Sequence, residues 1–173
     1  MNNHELKAKL LEFTINGVNS FLEANPELVF YAFAFDCNTE ECAEVLLCFN
    51  TEKEFSKTLE EYQKGRFSHL YKKEEEVFDL KFNTGDWEYQ DVDDISLMTR
   101  KEIDTIYNSI PSADFNEWED FTESLMQLFC ETLIEFRKTE TYNRIPKTKD
   151  FISFCIDHDE DFEQAMKRLK KYE

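Results

Sequence analysis

The run Leu28-Val29-Phe30-Tyr31-Ala32-Phe33-Ala34-Phe35, closed by Asp36, is the longest unbroken apolar stretch of the chain and decides how its fold is read. Its eight residues are too few to span a bilayer, and its density of aromatic side chains favours a buried β-strand. Strict alternation puts Val29, Tyr31, Phe33 and Phe35 on one face and Phe30, Ala32 and Ala34 on the other. Neither set is polar, so both faces need cover, as in a central strand of a sheet layered with helices. Ala32 and Ala34 are small enough for a helix to approach closely on their side.

Before this strand, Leu6, Leu10, Phe13, Gly17 and Phe21 recur at helical spacing, which predicts a helix over 3–23 that Asn25-Pro26 ends. After it, a short polar turn leads to Val45-Leu46-Leu47-Cys48-Phe49, a second strand close enough to form an antiparallel hairpin. Thr51 and Glu54 have the spacing of a capping box, opening a helix with Phe55, Leu59 and Tyr62 inward and Gly65 as its stop. Val77 to Phe82 alternates, with Phe78, Leu80 and Phe82 inward, and reads as a half-exposed strand. Asn83-Thr84-Gly85-Asp86 is a turn by composition. Helices are expected over 95–110 and from Asp114, with Glu117 at the capping-box position, to about Lys138. The second of these carries Trp118, Phe121, Leu125, Leu128, Phe129, Leu133 and Phe136 on one stripe. A basic loop over 143–149, a strand over 151–156 and a final helix with Phe162, Met166 and Leu169 complete the chain. The expected fold is a single α+β domain over 1–173, a mostly antiparallel central sheet of about four to five strands flanked by helices.

Composition narrows the function. The net charge is −18 and unevenly spread: 72–94 carry nine acids against three bases, 102–123 seven acids and no base, and 150–163 six acids and no base. Such a field repels phosphate backbones, so direct nucleic-acid binding is not expected, and it suits a basic protein partner. No apolar signal core or membrane-spanning run is present, and the five cysteines are an odd number set mainly in apolar segments. Both point to a cytoplasmic protein with reduced thiols, and Cys37, Cys42 and Cys48 lack the pairing of a zinc knuckle. No cofactor is expected: the glycines stand only at 17, 65 and 85, too far apart for a phosphate loop, and no nucleophile elbow occurs.

Three stretches remain as candidate partner-binding residues. Asp157, His158 and Asp159, within the acidic run that ends at Asp161, follow a strand and open a helix. They could hold a divalent metal or move protons, and the competing reading is that Asp159 and Glu160 only cap that helix. Asp86, Trp87 and Tyr89 place two aromatics on one side of an extended segment beside acids, a recognition surface unless both rings face the core. Glu119, Asp120 and Glu123 are expected outward on the long helix, opposite Trp118, Phe121 and Leu125.

Together Phe30-Tyr31-Ala32-Phe33-Ala34-Phe35-Asp36, Asn50-Thr51-Glu52, Gly85-Asp86-Trp87-Glu88-Tyr89 and a late strand ending in acids resemble, in order, the bacterial family of domain of unknown function 4303. Lys81-Phe82 stands where that family commonly has an Arg-Trp pair, and the family's usual carboxy-terminal ending is not evident. The resemblance brings no established activity. In genomic company the family's members resemble small immunity proteins that neutralise toxins passed between bacteria, which implies a binding role. The sequence thus points to a non-enzymatic, acidic protein-binding module of immunity or antitoxin type, its partner a basic toxin domain. A metal-assisted hydrolase using residues 157–161, or a regulatory or scaffolding domain, are the alternatives.

Overall fold

A computed structural model describes residues 2–40, 42–64, 68–111, 115–158 and 160–173. The quoted apolar run forms β1 (Phe30–Asn38), which lies inside a four-stranded sheet of order β3-β2-β1-β4. β2 (Glu44–Asn50) returns antiparallel to β1, and β3 (Tyr89–Ser96) pairs antiparallel with β2. β4 (Lys147–Asp157) lies on the other side of β1 and runs parallel to it. The sheet is mostly antiparallel, open, and layered on both faces by helices, an α+β domain.

One face is covered by α1 (Asn3–Ala24) and α5 (Phe115–Phe136). α1 starts on a complete capping box between Asn2 and Glu5, and its buried stripe runs Leu6, Leu10, Thr14, Gly17, Val18, Leu22. Phe21 sits 5.2 Å from Phe49 and 5.8 Å from Phe30, and Phe136 of α5 sits 5.5 Å from Phe33. Gly17 is where α1 crosses the sheet: a Cβ there would lie 2.9 Å from Leu47 Cδ1 and 2.8 Å from Asp93 Oδ2. Lys7 bridges the two helices, 3.2 Å from Glu131 and 2.8 Å from Glu135.

The opposite face is covered by α2 (Glu52–Tyr62), α3 (Glu74–Phe82), a 3-10 turn (Thr84–Asp86) and Phe162, the first residue of α7 (Phe162–Leu169). Here Phe82 stacks on Phe162 at 4.2 Å, and both meet Phe154 of β4. Each fully buried phenylalanine contributes about 1.5–3 kcal/mol relative to exposure. Seven of them, at 30, 33, 35, 49, 129, 136 and 154, are fully buried and are among the largest side chains of the core. α4 (Arg100–Ser109) and the short α6 (Glu140–Arg144) complete the helices among the described residues. No helix among them is long and apolar enough to cross a membrane.

The strand that organises the fold departs from simple alternation. Phe30 joins Phe33 on the α1 face, whereas Tyr31 turns to the other and meets Phe55, Phe82 and Trp87. The register of β1 against β4 shifts between Phe30 and Ala32, and such an irregularity moves a side chain to the opposite face. From Ala32 onward alternation holds: Ala34 pairs with Phe154 on the α3 face, and Phe33 pairs with Phe49 on the α1 face. Val29 precedes the strand and is 49% exposed.

Other expectations are corrected too. Residues 77–82 are helical, not extended, because period two and period 3.6 agree over so short a stretch: Phe78 and Phe82 are also one helical turn apart. Ile95 belongs to β3, and α4 begins only at Arg100, after Thr99 and Glu102 close a capping box. Within 143–149 the chain is not all loop: α6 runs to Arg144 and β4 starts at Lys147. Thr51 does cap α2, but Glu54 turns to Lys57 at 2.5 Å, so the reciprocal half of that box is not formed. Gly65 and Asp114 lie outside the described residues. Cys37, Cys48, Cys130 and Cys155 are buried and Cys42 is half-buried, all as free thiols. Burial pushes Cys37 up to about 11 and Cys48 up to about 12, which disfavours the thiolate form at neutral pH.

Candidate functional site

The segment from Lys81 to Trp87 is held to the sheet by hydrogen bonds from several directions. The Lys81 carbonyl accepts from Tyr31 Oη at 2.6 Å and from Trp87 Nε1 at 3.0 Å. Asn50 Nδ2 donates to the same Tyr31 oxygen at 3.1 Å, and burial pushes the Tyr31 phenol up. The Lys81 ammonium lies 4.5 Å above the Tyr31 ring and pairs with Glu52 at 2.7 Å. Thr84 Oγ1 donates at 2.8 Å to Asp36, a carboxylate only 5% exposed. Burial raises Asp36 above the ordinary carboxylate value, opposed by hydrogen bonds from Thr84 and Gln90 and by nearby His158.

The tip of the turn is a small network of its own. Asn83 Oδ1 accepts from the Gly85 N–H at 3.3 Å, and Asn83 Nδ2 donates to Asp86 Oδ2 at 2.6 Å. Tyr62 of α2 donates to Asp86 Oδ1 at 2.6 Å, and that carboxylate holds the phenol up at about 12. Two hollows flank the turn. One of about 410 Å³ opens toward α2 and is edged by Tyr62, Glu61, Asp86 and Glu88. The other, about 300 Å³, lies between α3 and the start of α7.

The sequence candidates separate on this frame. Asp86 is half-buried in the turn, but Trp87 is 5% exposed and packs on Tyr31 and Phe154. Tyr89 turns to the opposite face, its ring 5.5 Å from Phe21. The two aromatics therefore do not share a side: a turn residue, Glu88, separates Trp87 from β3, and strand alternation starts only at Tyr89. Asp157 accepts from Thr39 Oγ1 at 3.0 Å, and His158 is exposed, its N–H donating to the Cys37 carbonyl at 2.9 Å. Asp159 lies outside the described residues, and α7 is capped by Asp161 together with Gln164 rather than by Glu160. Among the described residues no three His, Cys, Asp or Glu side chains are placed to hold a metal ion.

Glu119, Asp120 and Glu123 are exposed on α5, while Trp118 and Phe121 are half-buried and Leu125 is buried. Glu123 is engaged: Arg168 Nε lies 3.5 Å away and Lys171 3.9 Å away. Arg168 also pairs with Glu160 at 2.5 Å, whose carboxyl burial pushes up in spite of that partner. Asp36, Thr84, Tyr62 and Asn83 join the site without being sequence candidates for it. Asp36 carries a signal, a carboxylate closing a strand that needs cover on both faces; Asn83 and Thr84 show only as turn residues and Tyr62 only as part of an apolar stripe.

These features define a small α+β domain in which a turn is anchored to the sheet by side chains from several elements. Three of the segments that resembled a known family meet at that turn, through Tyr31 and Asp36, Asn50, and Trp87, with Lys81 and Thr84 as the groups they bond. The chain belongs to the family described as domain of unknown function (DUF4303), which matches residues 10–171 of its 173. No curated protein and no solved structure matches it.

Proposed function

We propose that the protein is a non-enzymatic binding module of immunity or antitoxin type, acting in the cytoplasm on a basic protein partner. One observation carries the reading: Glu61, Asp86 and Glu88 at one hollow, Asp79 and Asp161 at the other, and Glu119 and Asp120 on α5 make no salt bridge among the described residues. Acids without a cationic partner among the described residues, on a chain of net charge −18, create a field that attracts a positive surface and speeds encounter with it. A nuclease toxin domain fits this chemistry, because its own site must be positive to hold phosphates.

The test pairs this chain with basic, toxin-like domains encoded by neighbouring reading frames. Co-expression is expected to restore growth that the domain alone arrests. The association rate of the purified pair is expected to fall steeply with salt. Growth arrest unrelieved by this chain for every such domain overturns the reading.

A further inference from the structure

We propose that the hollow between α3 and the start of α7 is the anchor site for a basic, amphipathic segment of the partner protein. Its walls are apolar, from Tyr71, Leu80, Phe82, Ile156 and Phe162. Beside it Phe78 is 43% exposed, its ring 4.9 Å from Phe82 and 5.5 Å from Phe162. Three rings thus form a shelf whose outer member faces water, and Leu70, 36% exposed, stands in the segment that leads into Tyr71. Single exposed apolar side chains are ordinary; an exposed phenylalanine continuous with an apolar hollow marks a contact surface.

The rim fixes the chemistry of the occupant. Asp79 and Asp161 line the hollow without a salt bridge among the described residues, Glu160 is already met by Arg168, Asn83 completes the polar lining, and among the described residues neither Lys nor Arg lines it. An apolar floor with an acidic rim fits an apolar anchor residue flanked by Lys or Arg, the arrangement in which a buried anchor supplies affinity and rim charges supply orientation. A second copy of this chain is a poor occupant, since it would bring two molecules of net charge −18 together. The inference rests on the reading that the partner is basic, and narrows it to one place.

The probe is a set of short synthetic peptides in four forms: an anchor of Leu, Phe or Trp flanked by Lys, the same anchors flanked by Glu, and each with the anchor changed to Ser. Binding is followed by backbone amide shifts of the labelled full chain. The basic, anchored peptides are expected to shift residues of α3, Ile156 and Phe162. Phe78→Ser is expected to weaken them about tenfold, and Tyr107→Ser, at a distant residue 53% exposed, to leave them unchanged. Because Phe78 is already half in water, its variant should melt with the parent chain; Asp79→Asn, which leaves every apolar wall in place, should weaken the basic peptides in the same direction. Equal binding by basic peptides lacking the anchor would overturn the hollow while sparing the acidic-surface reading. Equal binding by the Glu-flanked peptides would overturn the basic occupant and the broader reading with it. Shifts that map elsewhere, no binding at millimolar peptide, or a concentration-dependent dimer abolished by Phe78→Ser would each overturn the proposal.

Discussion

Asp36 is a carboxylate almost wholly removed from water, in a strand whose preceding side chains are apolar or aromatic. Its folded pKa lies above that of the unfolded chain because burial disfavours the charged form more than Thr84 and Gln90 favour it. The group therefore favours folding while it is protonated. That contribution is complete below the unfolded value of about 4 and is lost as pH rises through the folded one. Asp36→Asn keeps an oxygen for the Thr84 hydroxyl and carries no charge. The variant is expected to be at least as stable as the parent at neutral pH, and the difference between them to shrink on acidification. Asp36→Ala should instead cost about 1–3 kcal/mol, by leaving the buried Thr84 hydroxyl without its acceptor. Urea melts of the three proteins across the acidic range measure both effects.

At the scale of elements, the departure of Tyr31 from alternation is what ties α3 to the sheet, since its hydroxyl and the Trp87 indole share one carbonyl. Tyr31→Phe and Trp87→Phe are each expected to cost about 1–3 kcal/mol. Measured together in a double-mutant cycle they should be non-additive, because they act on the same acceptor; strict additivity would mean the Lys81 carbonyl is not their common point. Gly17 is the corresponding lock on the other face. In an open helix Gly→Ala gains about 1 kcal/mol. Here the new methyl meets the fully buried Leu47, and overpacking of about 1–3 kcal/mol should win, lowering the denaturation midpoint. These locks explain which parts of the fold the sequence reveals. The hairpin, α1, α5 and the inward stripe of α2 follow from periodicity, because one local pattern fits each. The helix at 74–82 is hidden because its pattern fits two periods, and the early start of β4 because Lys147 is not strand-like until Phe30 of β1 lies beside it. Of the candidate site, Asp86 is legible as a turn residue, whereas Tyr62 and Thr84 reach it or Asp36 only through tertiary contacts.

For the whole molecule, the exposed acids are not equivalent. Glu119→Gln with Asp120→Asn should change stability by less than about 0.5 kcal/mol while slowing association with a basic partner and flattening its salt dependence. Adding Glu123→Gln should cost up to about 1 kcal/mol more, because it releases Arg168 and Lys171. Thermal melts and stopped-flow rates at two salt concentrations separate the two contributions; an unchanged rate would remove this part of α5 from the interface. The parallel neighbour of β1 sets a different kind of condition. On its β4 side Ala32 is paired by Ile152, 120 residues further along the chain. At a synthesis rate of about 5–20 residues per second, roughly 6–24 s separate the emergence of the two from the ribosome. Throughout that interval the most aromatic strand of the protein has one open edge. The newborn chain therefore carries an unpaired aromatic strand edge, a template on which other chains can pair, until β4 arrives to close it.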